Sequence, residues 1–394
     1  MSKSQLALVI DIRSDSVGGA LVTSPATAKG EFKRSEIIKS SRRGIDLQAD
    51  FNLERFFADL MKALKFVLND LFINQPARPA GALVYLSAPF YAAQTRTIRQ
   101  TRPSPITITS SLISSLVDGD VATFQQITPP LYREILNDGH ELIEHKVMQI
   151  KLNRYETNAP LGQQASEIEI SHYLSVSSSR VINRFREIIS QFLPHRPIAF
   201  HSFPFALYTI ARDVLNARQS LLLDLGAEVT ELSLMTRNLL WETVSFPYGH
   251  NYLIRQLAKE LNTTSAEVIS SLKIYLRGEG NELLNTKLKE VFGRVGAAWV
   301  GKFKESFSTL TENHLGANHL LLIGDDLFTP MVSAWLGQPA YQDLLIGQSG
   351  FKVSVLDAKS LDEKLGQDRI KNLTDASLML EIIFYDKLRT TKNL

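Results

Sequence analysis

The sequence predicts an α/β protein with two lobes built on the same plan. A strand that ends in Asp11 and a strand that ends in Asp224 are each followed by a tight turn and a second strand. The first strand of each pair is a continuous apolar run, as expected for strands buried on both faces of a sheet. The chain has 394 residues, too many for one hydrophobic core, so at least two domains are expected.

The first half of the chain alternates strands and helices. After the first hairpin, the basic stretch 29–43 is predicted to be a solvated loop or an edge strand. Apolar residues then recur every three or four positions from Asn52 to Asn69, which predicts a helix with Asn52 as its N-cap. Gly81–Ser87 is apolar and is closed by Pro89, which predicts a buried strand. Elements in this order are typical of α/β layers.

A region of different composition interrupts this pattern. It begins at Thr101–Pro105 and contains two segments of alternating hydrophobicity, which predict strands with one exposed face. We expect residues 101–182 to form a small α+β insertion. The elements predicted here are a helix at Pro129–Asn137, strands at His145–Asn153 and Ile168–Val176, a turn at Asn158–Gly162, and an amphipathic helix at Ser179–Phe192.

The second half of the chain repeats the strand and helix pattern. Thr264 and Glu267 have the spacing of a capping box, which predicts the start of a helix. The other predicted elements are strands at Leu239–Phe246, His319–Gly324 and Phe351–Leu356, and helices at Asn251–Leu261, 283–310, up to Leu336, and Asp375–Leu388. The last helix is apolar enough to be buried in the fold, and we expect no direct membrane anchor.

Composition narrows the classes of function. The net charge of +2 gives no broad basic surface, so we expect no nucleic-acid partner. The chain has no cysteine, which excludes disulfides, zinc–thiolate sites and thiol catalysis and fits a reducing cytoplasm. The eight histidines lack metal-ligand spacing, and the sequence contains neither a Walker loop nor a Gly-x-Ser-x-Gly elbow.

The two aspartate-ended hairpins are the main candidate site. Taken singly, Asp11 and Asp224 could be strand-end caps that accept local N–H groups. Taken as a pair on matched hairpins, they favour a clamp for a phosphate chain, in which the turns supply backbone N–H groups. The aspartates would then hold Mg²⁺ through water.

The order of these parts resembles the actin-like ATPase superfamily, and within it the FtsA/PilM type. That resemblance implies a two-lobed fold of duplicated ribonuclease-H-like domains with a small α+β insertion. Asn158–Gly162 and the following strand with His172 are similar to the FtsA/PilM insertion, which sets this type apart from other actin-like proteins. The resemblance covers nearly the whole chain.

The resemblance also implies a set of nucleotide-binding residues. This chain has positions that match five family features: two phosphate motifs, a turn before a helix, a lysine beside the adenosine, and an adenosine motif. The expected cofactors are therefore ATP and Mg²⁺. The implied cofactor-binding residues are Asp11, Arg13, Ser14, Asp224, Gly226, Thr230, Gly249, Lys273, Gly324 and Asp325, with Asp11 and Asp224 as the magnesium ligands through water.

Several positions depart from the family pattern. Arg13 stands where a glycine lets the backbone approach phosphate, and His250 replaces the second glycine of its turn. Ser270 stands where a glutamate is usual, and Asp325 and Asp326 replace a glycine and a small residue. These departures weigh more against hydrolysis than against binding, so at most a weak ATPase is expected, with no catalytic residue assigned.

The expected role is that of an actin-like scaffold in the cytoplasm, at the inner face of the membrane through its partners. An FtsA-like role in cell division would involve self-assembly into oligomers or filaments, a tubulin-like division protein, or a membrane partner. A PilM-like role in type IV pilus assembly would involve the cytoplasmic tail of an inner-membrane protein, bound beside the insertion. A degenerate pseudo-ATPase and a small-molecule kinase are further alternatives.

The expected domain division follows from these parts. The first lobe is predicted to comprise 1–100 and 183–212, with the insertion at 101–182. The second lobe is predicted to comprise 213–246 and 311–394, with a helical subdomain at 247–310.

Overall fold

A computed structural model describes residues 5–24, 34–48, 52–75, 78–126, 139–280, 282–312, 316–338, 350–365 and 373–391. Its strands are β1 Gln5–Ile12, β2 Ser16–Ser24, β3 Glu36–Gly44, β4 Ala82–Leu86, β5 Ala92–Thr107, β6 His140–Leu152, β7 Tyr155–Glu156, β8 Gln164–Ser178, β9 Ile198–Ser202, β10 Ser220–Leu225, β11 Thr230–Thr236, β12 Leu239–Phe246, β13 His319–Gly324 and β14 Lys352–Val355. Its helices are α1 Leu53–Phe72, α2 Ser110–Gln126, α3 Ser179–Phe192, α4 Phe203–Asp213, α5 His250–Leu261, α6 Ser265–Leu276, α7 Glu282–Thr311, α8 Thr329–Leu336, α9 Ala358–Leu365 and α10 Ala376–Thr391.

Two five-stranded sheets share one topology. The first has the order β3-β2-β1-β4-β9 and the second has the order β12-β11-β10-β13-β14. In each sheet three antiparallel strands are followed by two strands parallel to the central one. The two predicted aspartates are the second-to-last residues of the central strands β1 and β10, so each lies at the carboxyl end of its sheet, where α/β proteins form crevices.

The insertion forms a third sheet with the order β5-β8-β6-β7. Helix α2 covers one face, where Val117 packs with Ile168 and Ile170 of β8. The other face lies toward the two lobes: β6 lies against β9, and β5 lies against β12. Thr95 of β5 donates a hydrogen bond to the Leu240 carbonyl at 2.5 Å, so the insertion contacts both lobes.

The helices form where apolar residues recur with helical spacing, and capping residues mark where α1 and α6 begin. Asn52 accepts a hydrogen bond from the Arg55 N–H at the start of α1, and Thr264 and Glu267 form the capping box of α6. Helix α1 buries seven residues against the first sheet, and each large aliphatic side chain among them stabilises the fold by about 1.5–3 kcal/mol. Helix α10 packs against α4 and β1, and its residues Leu378 and Ile382 are fully buried.

Some elements differ from the sequence prediction. The insertion's first strand begins at Ala92, nine residues before the predicted boundary. The basic stretch contains β3, an edge strand, which is one of the two predicted alternatives, but Arg42 on it binds the buried Asp11 instead of facing only solvent. The helix predicted at Pro129–Asn137 lies outside the described residues. Within the described part of the chain, no helix is long and apolar enough to cross a membrane.

Candidate functional site

The two hairpin turns meet in a cleft between the lobes. Arg13, in the turn after β1, donates a 2.5 Å hydrogen bond to Oδ1 of Asp224 at the end of β10. The Ser14 hydroxyl oxygen accepts the N–H of Glu228 from the second turn at 3.2 Å. The Arg13 guanidinium also donates to the Ser377 hydroxyl at 3.2 Å. The side chains of the first turn therefore link the first lobe directly to the second.

Asp11 is paired with an arginine as well. Arg42 of β3 donates from Nη2 to Oδ2 of Asp11 and from Nε to Oδ2 of Asp375, both at 2.5 Å. In the sheet register Arg42 lies opposite Gly18 of β2, and a Cβ at Gly18 would lie 2.5 Å from Arg42 Nη2. The lack of a side chain at Gly18 thus provides the space through which Arg42 reaches Asp11.

Burial and charge act against each other in these pairs. Burial lowers the pKa of Arg13, but Asp224, Asp11 and Asp15 outweigh it, so that pKa is raised. The pKa of Arg42 is raised in the same way, chiefly by Asp11 and Asp375. Burial raises the pKa of Asp224 although Arg13 opposes the rise. Both guanidinium groups stay charged, and each neutralises an aspartate at the base of the cleft.

Asp11 also faces a carboxyl group of the last helix. Glu381 of α10 is fully buried, and neither its two oxygens nor Asp11 Oδ1 meets a hydrogen-bond donor among the described residues. Burial and the charge of Asp11 raise the pKa of Glu381 well above its usual range. A protonated Glu381 supplies the missing donor to Asp11, because two carboxyl groups in contact share a proton rather than both ionise.

A cavity of about 460 Å³ lies beside these pairs. Four carboxylates line it, on Asp15, Asp325, Asp326 and Asp375, and Asp15 Oδ2 lies 3.4 Å from Nε2 of His250. Burial, reinforced by the charges of Asp325 and two further aspartates, raises the pKa of Asp326. Because the lining arginines are already paired, the cavity presents an excess of negative charge, which would repel a polyphosphate.

Backbone donors near the cleft are also in use. The N–H groups of Gly249, His250 and Asn251, at the start of α5, donate to the carbonyl oxygens of residues 226–228 in the second turn. A Cβ at Gly249 would lie 2.2 Å from the Ala227 carbonyl oxygen, so this contact requires glycine. These N–H groups are therefore not free to bind an anion at this helix start.

The remaining predicted residues are spread around the cleft. Gly324 and Asp325 line the cavity, and Asp325 caps the turn before α8 by accepting the Leu327 N–H at 2.8 Å. The Thr230 hydroxyl donates to the Tyr248 carbonyl at 2.8 Å and is buried. Lys273 is exposed on α6 and does not line the cavity.

Sequence reasoning missed several residues of this site. They are Arg42, Asp375, Ser377 and Glu381. A signal was present for Glu381, which interrupts an otherwise apolar run from Leu378 to Phe384. A charged residue in such a run indicates a buried partner, because an isolated buried charge is costly.

The donor set does not fit magnesium-bound nucleotide. Both predicted magnesium ligands already accept charged hydrogen bonds from arginines, and the N–H groups of the helix start are engaged. Across the described ranges, no group of three or more His, Asp or Glu residues has the geometry of a metal site. Magnesium at Asp11 or Asp224 would have to share the carboxylate with an arginine that is already the local counter-charge.

Comparison with known proteins identifies the fold. No model of a known protein family matches the sequence, and no curated protein matches it. The structure is similar to the solved PilM–PilN type IV pilus biogenesis complex over 97% of this chain and 98% of that chain, with a TM-score of 0.60 and 14% identity.

The chain has the actin-like ATPase fold. A weaker similarity is to the ethanolamine utilization protein EutJ from Carboxydothermus hydrogenoformans, with 10% identity over 98% of this chain and 90% of that chain and a TM-score of 0.45. Another is to a glycerol dehydratase reactivase, with 9% identity over 97% of this chain and 100% of that chain and a TM-score of 0.43. The match to the PilM–PilN structure confirms the predicted two-lobed actin-like fold with its α+β insertion. At these identities the comparisons establish the actin-like fold and not a specific role.

Proposed function

We propose that this actin-like protein is a cytoplasmic scaffold that binds the cytoplasmic segment of an inner-membrane protein and does not hydrolyse ATP. The observation that carries the proposal is the pairing of both central aspartates with arginines of the same chain. In an actin-like ATPase the cleft residues must be available to a ligand, and here they are satisfied without one. ATP and Mg²⁺ are accordingly not proposed as required cofactors.

Contacts across the cleft support a scaffold that closes without nucleotide. Besides Arg13–Asp224, His250 of the second lobe lies beside Asp15 of the first. Leu47, which follows β3, packs into the apolar core of the second lobe. A ligand shifts a conformational equilibrium only by its differential affinity for the two states, so a cleft that closes by itself needs no nucleotide to set its shape.

The similarity to PilM favours pilus assembly over cell division. The PilM–PilN structure matches this chain over almost the full length of both chains, insertion included, and it is a complex of two pilus proteins. We therefore propose a pilus-type partner with a short cytoplasmic segment. Participation in cell division, with filaments or a tubulin-like partner, stays a prediction from sequence.

Two measurements test the proposal. The first measures phosphate release and binding of a fluorescent ATP analogue, with Mg²⁺, for the natural chain and for Asp224→Ala. We expect no turnover and no affinity that depends on Asp224. ATP turnover that Asp224→Ala abolishes would overturn the proposal.

The second measurement concerns the partner. Synthetic peptides from the cytoplasmic ends of single-span membrane proteins encoded beside this chain are titrated in fluorescence anisotropy, without nucleotide. We expect one peptide to bind saturably, and to bind equally well with Mg²⁺–ATP present. Failure of every peptide to bind, or binding only with ATP, contradicts the scaffold proposal.

A further inference from the structure

We propose that the insertion and the cleft change conformation together, through the consecutive residues Ser202 and Phe203. Ser202 ends β9 and Phe203 begins α4. Ser202 contacts the insertion, and Phe203 contacts the cleft residue Arg13. The inference deepens the proposed scaffold function and rests on it for its biological meaning, since it specifies how partner binding at the insertion would alter lobe closure.

The insertion is attached to the first lobe by a buried carboxylate. The Glu144 side chain of β6 is 1% exposed. It accepts hydrogen bonds from His201 Nδ1 at 2.9 Å, from the Ser202 hydroxyl at 2.8 Å and from the Ser202 N–H at 3.3 Å. Ser202 is the N-cap residue of α4 but makes no cap bond with its own side chain. Glu144 thus takes the position of an anionic cap, which the helix dipole stabilises.

A second strand of the insertion contacts the same helix start. The Tyr173 hydroxyl of β8 lies 2.8 Å from the Ser202 hydroxyl, and its ring stacks on Phe205 with centroids 4.8 Å apart. Strands β6 and β8 of the insertion therefore both contact the first turn of α4. Removal of the Glu144 charge should allow this turn to shift, because buried polar groups that lose a partner seek a new arrangement.

The next residue carries the contact to the cleft. The guanidinium carbon of Arg13 lies 5.1 Å from the centre of the Phe203 ring. Arg13 joins the lobes through Asp224 and reaches Ser377 at the start of α10. A shift of the α4 start moves the Phe203 ring, on which the Arg13 guanidinium packs. In the other direction, loss of the Arg13–Asp224 contact lets Arg13 move away from that ring, so the start of α4 loses this contact. The insertion and the cleft thus bias one shared element, the start of α4, which is the physical requirement for coupling.

Hydrogen–deuterium exchange of the full chain, without nucleotide or peptide, tests this coupling. Glu144→Gln should speed amide exchange in the two cleft turns, at residues 12–16 and 226–230, by about fivefold or more, the lower end of usual couplings between sites. Conversely, Arg13→Met should speed exchange in β6 and β8. Tyr173→Phe, which keeps the ring and removes only the hydroxyl, serves if Glu144→Gln does not fold.

The matched control is Glu141→Gln. Glu141 lies on the same strand and pairs with Arg186 of α3 at 2.7 Å, away from the Ser202 hydroxyl that Glu144 binds. Its replacement should leave exchange in the cleft turns unchanged. Equal acceleration by Glu141→Gln and Glu144→Gln would overturn the inference, as would acceleration by Glu144→Gln confined to the insertion. Since the readout uses no peptide and no ATP, it succeeds or fails independently of the scaffold tests.

Discussion

At the scale of single residues, two arginines supply the positive charge beside Asp11 and Asp224 that the predicted magnesium ion would have supplied. Arg13 binds Asp224, and Arg42 binds both Asp11 and Asp375. Removing one member of a buried ion pair is far more costly than removing a surface pair, because the remaining charge has no compensation. This difference leads to a direct test.

Arg13→Met should lower the free energy of unfolding by about 3–5 kcal/mol, since it leaves Asp224 buried and unpaired. Urea unfolding measures the change. Arg99→Met is the control, because Arg99 is 74% exposed and its pair with Glu169 should contribute about 0–1 kcal/mol. The double variant Arg13→Met with Asp224→Leu should recover much of the loss. A loss for Arg13→Met no larger than for Arg99→Met would refute the buried pairing.

Glu231 of β11 gives the cleft region a pH dependence. Burial raises its pKa from 4.5 to about 8; a hydrogen bond with Tyr91 opposes the rise, and the charge of Asp224 adds to it. Because the folded-state pKa is raised, the protonated glutamate stabilises the fold fully below the unfolded-state pKa. That stability is lost as the pH rises from about 4.5 to about 8.

Glu231→Gln keeps the shape of the side chain and cannot ionise. We expect it to unfold at nearly the same urea concentration as the natural chain at pH 5, and at a clearly higher one at pH 9. Glu187→Gln, at an exposed position of α3, is the control and should show no such growth with pH. A constant difference between Glu231→Gln and the natural chain from pH 5 to pH 9 would show that Glu231 does not titrate there.

At the scale of elements, much of the fold could be predicted from the sequence because periodicity reports burial on one face. Helix α3 begins and ends where the amphipathic pattern predicted. Helix α4 was missed because nine of its eleven residues, Phe203–Ala211, are buried, so its sequence has no polar face to give a helical period. The segment of β3 was predicted to be either a loop or an edge strand, because its arginines indicated exposure to solvent.

The candidate site could be predicted only in part. The aspartates were visible from strand ends, but their partners are distant in sequence: Arg42 is 31 positions from Asp11, and Arg13 is 211 positions from Asp224. A single sequence gives the charge of a side chain and not its partner. The pairing depends on the turn geometry and on the space left at Gly18, which the sheet register supplies.

The turn at Gly249 gives a prediction at this scale. In Gly249→Ala the new methyl group would meet the Ala227 carbonyl oxygen, so the start of α5 must move away from the second turn. We expect a destabilisation of about 1–3 kcal/mol, measured by thermal unfolding. Gly301→Ala is the matched control, because Gly301 lies in α7, where a new Cβ would meet no atom of the described residues within 4 Å, and it should stabilise by about 0.5–1 kcal/mol. Equal effects of the two changes would be inconsistent with the close approach.

At the scale of the whole molecule, the lobes of the natural chain should be closed in solution without ligand. Small-angle X-ray scattering should give the same radius of gyration with and without Mg²⁺–ATP, because the contacts across the cleft come from the chain itself. The Arg13→Met variant, which lacks the ion pair between the lobes, should have a measurably larger radius of gyration. Compaction of the natural chain by Mg²⁺–ATP would contradict the proposed ligand-free closure.

The insertion is also a structural cover, because β6 lies against β9, the last strand of the first sheet, and β5 reaches Leu240 of the second. A shortened protein from which residues 92–178 had been excised would expose the hydrogen-bonding groups along β9. Uncovered edge strands of this kind form hydrogen bonds with strands of other chains. Attempts to trim the molecule to its two lobes should therefore yield aggregates rather than a minimal actin-like core, and grafting a foreign module at the same place would have to protect the same border.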